Sequence, residues 1–204
     1  MARTARLRHA RRGGGSRHLS GTPPDLVARL ADAEIGETFN QYAASPLLPD
    51  RLRSYLEARR KAEVVLVGEA AGYRGARVSG IPFTSERQLT GCGPAEATAT
   101  IVHRVLAELG AEEDVLLWNV VPTHPGSETS NRRPTRAEVE DAAPFLVELT
   151  RGRSSIAVGR LAAAVLEAPY IRHPSHGGAA AFEAGLRRVF ATIGRRRAPV
   201  RRFL

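Results

Sequence analysis

Residues 62–68 read Ala-Glu-Val-Val-Leu-Val-Gly, and this stretch decides the fold. An apolar run that short, rich in valine and stopped by a glycine, has no polar face to turn to water, which is the pattern of a parallel strand covered on both sides. Two further runs repeat it: residues 115–121, Val-Leu-Leu-Trp-Asn-Val-Val, and residues 155–159, Ser-Ile-Ala-Val-Gly. Pro169-Tyr170-Ile171-Arg172 is extended enough to form a fourth strand. Helical stretches are predicted between them, over residues 94–109, over 135–150 and after Gly159. Thr135 and Glu138 stand at capping-box spacing at the start of the second of these. A last helix is expected over residues 179–193, with Phe182, Leu186, Val189 and Phe190 on one face. Strands that alternate with helices in this way predict an α/β protein, a three-layer α/β/α sandwich with a short, mostly parallel central sheet. Upstream, Leu26, Leu30, Ile35 and Phe39 suggest one helix, and Leu47, Leu52, Tyr55 and Leu56 a second with Pro46 near its start.

A chain of 204 residues is the length of one domain with loose ends. The expected division is a basic flexible arm over residues 1–23, a domain over 24–195 and a basic tail over 196–204. The net charge of +9 is unevenly placed: residues 1–20 hold six arginines and residues 185–204 seven, with no acid in either stretch. The middle therefore carries all 21 acids against the remaining 17 basic residues, an acidic globule between arms that attract polyanions without choosing among them. Arginine makes up 29 of the 30 basic residues, a compositional bias that tempers what the arms signify. A single cysteine, Cys92, excludes an intrachain disulfide and any cysteine-rich metal or iron-sulfur site. No run approaches the 18 apolar residues of a membrane span, and no apolar signal segment follows the basic start, so a cytoplasmic, membrane-free and monomeric protein is expected.

In a parallel sheet, ligands sit beyond the carboxyl ends of the strands, and four segments of this chain converge there. The first is Gly68-Glu69-Ala70-Ala71-Gly72-Tyr73-Arg74-Gly75, whose glycines allow a tight turn and whose Glu69 stands just past the strand. It is neither a Walker loop nor a dinucleotide fingerprint. Gly80-Ile81-Pro82-Phe83-Thr84-Ser85 follows, with Phe83 readable as a core anchor or as a flat stacking platform. Asn119 interrupts the second apolar run, and its amide offers the acceptor and donor needed to read a nucleobase edge. His124 lies between prolines in the next loop, ahead of Asn131-Arg132-Arg133-Pro134. Last comes Arg172-His173-Pro174-Ser175-His176-Gly177-Gly178, where an imidazole N–H can face a developing negative charge and Ser175 with nearby amides can grip phosphate. The histidines lack ligand spacing such as His-x-x-x-His, so neither a metal nor any other cofactor is expected.

These segments together resemble the uracil-DNA glycosylase superfamily. Residues 68–72, Gly-Glu-Ala-Ala-Gly, resemble its first motif in the form Gly-Glu-Ala-Pro-Gly, with Ala71 in place of proline. The segment around Phe83 is similar to the one that carries the uracil-stacking aromatic, Leu116-Leu117-Trp118-Asn119 to the strand whose asparagine reads uracil, and His173-Pro174-Ser175 to the His-Pro-Ser motif of the DNA-intercalating loop. Asn131-Arg132-Arg133-Pro134 resembles the Asn-Arg-x-Pro segment of the thermophilic-type branch. The resemblance spans about residues 60–195 in the right order. It has departures. Where many members have aspartate or asparagine at the third position of the first motif, this chain has Ala70, which leaves Glu69 to do the work as in the thermophilic type. The four cysteines of that branch's iron-sulfur cluster are missing, and the tyrosine that excludes thymine corresponds to Gly72, with Tyr73 beside it.

The resemblance implies a divergent, cluster-free DNA glycosylase that hydrolyses the N-glycosidic bond of uracil, or of other deaminated bases, flipped out of duplex DNA at a mismatched or damaged site. It assigns catalysis to Glu69 and His173, and base recognition to Phe83 and Asn119. Supporting places go to Gly68, Ala70, Gly72, Tyr73, His124, Asn131 and Arg132, and DNA contact to Arg172, Ser175, His176, Gly177 and Gly178. Two other classes stay open: a non-catalytic or differently specific nucleic-acid-binding relative, and an α/β enzyme acting on a small nucleoside or nucleotide. Salt separates them, because DNA binding weakens steeply between about 50 and 200 mM and small-substrate turnover does not.

Overall fold

The computed structural model describes residues 26–197, with side chains as far as Ile193. The arm expected over residues 1–23, and residues 198–204 of the expected tail, lie outside the described residues.

In chain order the elements begin with helices α1 (Leu26–Ala31), α2 (Gln41–Ala44) and α3 (Leu47–Ala58) and strand β1 (Val64–Ala70). Short helices α4 (Ala76–Ser79) and α5 (Glu86–Thr90) precede α6 (Ala97–Glu108) and β2 (Val115–Val121). A ribbon of β3 (Gly126–Ser127) and β4 (Ser130–Asn131) leads to α7 (Arg136–Thr150), β5 (Ser154–Val158), α8 (Arg160–Val165), β6 (Tyr170–Ile171) and α9 (Ala179–Arg197). The central sheet has the order β2-β1-β5-β6 and all its pairs are parallel, as the valine-rich runs predict. The ribbon β3–β4 is antiparallel and separate from it.

Alternation along the strands feeds two cores. Val65 and Val67 of β1 join Leu116 and Trp118 of β2 on one face, where α1, α3 and α7 supply Leu30, Leu52 and Leu146. Val64 and Leu66 join Val115 and Leu117 on the other, against Val102 and Leu106 of α6 and Phe182 and Leu186 of α9. Helices on both faces of a parallel sheet make the three-layer α/β/α sandwich. Each such fully buried side chain contributes about 1.5–3 kcal/mol, so the strands that aim the site residues stand on the most stable part of the molecule.

Two sequence expectations change, one at each end of the described residues. The helix expected through Leu26, Leu30, Ile35 and Phe39 stops at Ala31. Asn40 ends it, its Nδ2 donating to the carbonyls of Leu30 and Ala33 at 2.8 and 3.0 Å while its Oδ1 accepts from the first amides of α2. Gly36 turns the chain between them in the left-handed region, at φ 47°. At the far end, α9 continues through residues 196 and 197, which the sequence assigned to the tail.

Candidate active site

The first strand ends where its side chains become half-buried, at Glu69 and Ala70. Their register partners on β2 run through Gly68↔Asn119 and Ala70↔Val121, so the asparagine amide stands beside the end of β1. Gly68 makes that possible. A Cβ there would lie 2.3 Å from Phe83 Cζ and 2.8 Å from Asn119 Oδ1, so the glycine is the gap into which both side chains fit. Phe83 takes a left-handed backbone, φ 54°, uncommon for a bulky residue and maintained by its surroundings. Ser79 Oγ donates to Thr84 O at 2.6 Å, Thr84 Oγ1 donates to Pro82 O at 3.1 Å, and the same hydroxyl lies 3.0 Å from His103 Nε2. The Phe83 ring is buried among the residues of the second core, as a core anchor would be, and also forms part of the cavity wall.

A cavity of about 370 Å3 opens at the carboxyl ends of the four parallel strands. Glu69, Phe83, Asn119 and His173 all line it, as do Ala70, Gly72, Asn131 and Arg132 from the supporting set. Ser175 and His176 border it, whereas Arg172, Gly177 and Gly178 are outside its wall. Gly178 instead lets the loop close, since a Cβ on it would run into the carbonyl of His173.

Glu69 is half-buried and accepts no hydrogen bond from the described residues; burial pushes its carboxyl above the usual carboxylate range, and Arg133 pulls it partly back. Asn119 is buried, with a side-chain amide that makes no hydrogen bond among the described residues. His173 is different. Its Nδ1 accepts the backbone N–H of Ser175 at 3.2 Å, so that nitrogen carries no hydrogen and the proton of a neutral ring sits on Nε2, which has no partner among the described residues. Burial, and His176 beside it, lower the His173 pKa and favour that neutral ring.

Of the supporting residues, His124 and Tyr73 lie behind the wall, and Asn131 and Arg132 in it are held by contacts of their own. His124 is fully buried, with Nδ1 2.7 Å from Ala71 O and Nε2 2.8 Å from Ser127 O. Both nitrogens thus face carbonyl oxygens, and the ring lies between the first-motif loop and the β3–β4 ribbon. Asn131 Oδ1 accepts the Tyr73 amide at 2.9 Å and ties the same two segments together. Tyr73 does not line the cavity; its ring carries the Arg74 guanidinium at 5.3 Å. Arg132 is committed to Glu138, with Nη1 2.8 Å from Oε2.

Two wall residues escape a motif-based reading. Arg160, directly after Gly159, is exposed and forms no ion pair among the described residues. Glu96 precedes α6 without capping it, and its carboxylate reaches over the first-motif loop, at 2.2 Å from the Cβ positions that Gly72 and Gly75 lack. Burial raises its pKa, and no hydrogen bond from the described residues compensates. The only sequence signal for Glu96 is the pair of glycines that makes room for it. Among the described residues no three histidine, cysteine, aspartate or glutamate side chains cluster to hold a metal ion, Cys92 is a free, exposed thiol, and no helix is long and apolar enough to cross a membrane.

The family model of the uracil DNA glycosylase superfamily matches residues 56–194. The chain belongs to that superfamily. Its match begins in α3 and ends in α9, so it takes in the whole sheet and all four segments around the cavity. Among solved structures, wild-type SMUG2 from Pedobacter heparinus is similar in fold, with a TM-score of 0.64 at 12% sequence identity over 84% of this chain and 98% of that one. No curated protein matches the chain. For this superfamily member the fold is thus a hydrolase fold, with a cavity where the strand ends meet.

Proposed function

We propose that this superfamily member is a DNA glycosylase that hydrolyses the N-glycosidic bond of uracil, and of related deaminated bases, flipped out of duplex DNA, and that it represents a cluster-free branch akin to the thermophilic type. The observation that carries the reading is the state of His173. A neutral imidazole whose Nδ1 is already occupied can only donate from Nε2, which suits a leaving group that becomes an anion.

Breaking the bond between the base N1 and the sugar C1′ leaves the electron pair on the base, where it spreads to O2, and positive charge on the sugar. His173 donates to O2 as that charge grows. Asn119 pairs with N3–H and O4 through one acceptor and one donor, and Phe83 supports the ring face. Glu69, a carboxylate that accepts no hydrogen bond from the described residues and stands at the end of β1, faces the sugar cation and accepts the proton of the water that adds to C1′. The products are the free base, which regains a proton at nitrogen, and an abasic sugar. Flipping costs a few kcal/mol of unstacking, less at a mismatch, so U·G should be processed faster than U·A.

The test is strand cleavage after alkali on oligonucleotides with one uracil opposite guanine, opposite adenine or unpaired. Wild-type protein is expected to cleave, and His173→Ala to lose about 3 kcal/mol of transition-state stabilisation, roughly 100-fold or more in rate. Failure of folded wild-type protein to release uracil, hypoxanthine or xanthine in any context would defeat the reading and favour a binding-only relative.

A further inference from the structure

The hydrogen bonds of residues 173–176 have a single self-consistent direction. Because Nδ1 of His173 accepts the Ser175 amide, the Ser175 hydroxyl, 2.8 Å from the same nitrogen, must donate to it. That spends the only hydrogen on Oγ. His176 Nδ1, 3.0 Å from Oγ, is therefore the donor in the remaining contact. One backbone N–H thus fixes the protons of two imidazoles, His173 on Nε2 and His176 on Nδ1. The backbone is shaped for this: His176 sits in the left-handed region at φ 51°, followed by Gly177 at φ 74°, and Arg172 Nη2 donates to the His176 carbonyl at 3.3 Å. A non-glycine residue in that region persists where neighbouring contacts hold it.

We propose that His176 is a positioning residue which, through the Ser175 hydroxyl, locks His173 in its Nε2–H form and keeps it a donor toward the cavity. This rests on the reading of His173 as the donor to the departing base. Burial first, and then the neighbouring His176, oppose a second proton on His173, in the direction of its lowered pKa. The other charged groups around the cavity are Glu69 and Glu96 across from this loop and Arg132 and Arg160 on its rim, while Arg172 holds the His176 carbonyl from outside the wall. Loss of His176 therefore frees the serine hydroxyl to turn away and makes His173 easier to protonate.

The experiment combines long-range 15N NMR of the histidine rings with pH profiles of uracil excision for wild type, His176→Ala, His176→Asn and Ser175→Ala. Asparagine is the conservative variant, since it tolerates the left-handed backbone and offers a side-chain N–H. Wild-type protein should show His173 protonated on Nε2 alone. His176→Ala should mix the His173 tautomers, lower kcat about tenfold with KM changed less than about twofold, in line with one lost hydrogen bond, and move the acidic limb to higher pH. His176→Asn should restore the tautomer and the rate. Unchanged His173 tautomer and pH profile in His176→Ala, with weaker duplex binding and a shallower salt slope, would overturn the proposal and make His176 a phosphate contact. The NMR arm needs no turnover: if the wild type releases no base, dependence of the His173 tautomer on residue 176 still upholds the relay, and independence refutes it.

Discussion

Gly68 and Asn119 face each other across β1 and β2, and the asparagine Oδ1 lies 2.8 Å from the point where a Cβ on Gly68 would be. The same point is 2.3 Å from Phe83 Cζ. The proposed base-reading amide and the proposed stacking ring therefore share one missing methyl group. Gly68→Ala should push both aside. Neither can yield cheaply, because Asn119 sits on a fully buried strand and Phe83 in a constrained turn. Overpacking of this kind typically costs about 1–3 kcal/mol, so a fall in thermal stability of several degrees is expected, with uracil excision reduced more than tenfold. A variant with wild-type excision would mean that neither side chain contacts the base.

Glu69 should contribute its own titration to the acidic side of the activity, beside that of His173. Its carboxyl is pushed up by burial and pulled down by Arg133, and the proposed chemistry needs it ionised. Arg133→Gln removes the downward influence, so the Glu69 pKa rises further and the acidic limb of the kcat profile shifts to higher pH, with the plateau rate at alkaline pH retained. Glu69→Gln should remove the part of that limb that responds to residue 133, together with most of the rate, and leave the part set by His173. An acidic limb that ignores residue 133 would assign the titration to another group.

The parts of this site that the sequence makes legible are those written in local pattern. β1 and β2 announce themselves because a strand buried on both faces admits almost no polar residue, and Asn119 stands out against that background as a polar group awaiting a partner. The Thr135–Glu138 capping box is equally local, and both its hydrogen bonds form. Tertiary contacts are what sequence spacing does not carry. The first helix stops at Ala31 because Asn40 folds back onto its carbonyls, and Gly36 leaves no room for a side chain, with Glu138 Cγ 2.5 Å from its absent Cβ. The ribbon β3–β4 has two residues per strand, too few for any alternation to register. His124 reads as a free loop histidine until Ala71 and Ser127, distant from each other in sequence, close on its two nitrogens.

Glu96 gives a stability prediction that is independent of any activity. Burial raises its folded-state pKa above the unfolded value, so its contribution is fully present below the unfolded value near 4.5 and is lost as pH rises through the folded one. At neutral pH the ionised carboxylate, without a hydrogen bond from the described residues, is therefore a burden on the fold. Glu96→Gln, which keeps the shape and removes the charge, should be more stable than wild type near pH 7.5 by on the order of 2 °C, since about 1 kcal/mol corresponds to 2–4 °C for a chain of this size. The advantage should vanish below pH 4. Equal melting temperatures at both pH values would show that the carboxylate is solvated.

Arg132 and Glu138 make the opposite case, in which the fold depends on ionisation. The Glu138 side chain is 2% exposed, accepts the Thr135 amide at 2.8 Å and is bidentate to the Arg132 guanidinium, which holds its pKa down to about 2. A folded-state pKa below the unfolded one gives stability that is present above about pH 4.5 and lost as pH falls through about 2. A depression of that size corresponds to at most about 3 kcal/mol. Arg132→Gln leaves the carboxylate buried with only Thr135 to satisfy it, and breaking a buried pair from one side is strongly destabilising. Urea denaturation at pH 7 should therefore show Arg132→Gln less stable than wild type by about 2–3 kcal/mol. The gap should narrow steadily below pH 4.5 and be mostly closed at pH 2, where the variant's Glu138 is neutral and about half of the wild type's is. Glu138→Gln should match the double variant Arg132→Gln/Glu138→Gln within about 0.5 kcal/mol, because a neutral amide no longer needs the cation. A gap that persists unchanged to pH 2 would mean that Arg132 supports the ribbon next to the cavity through packing rather than through its charge.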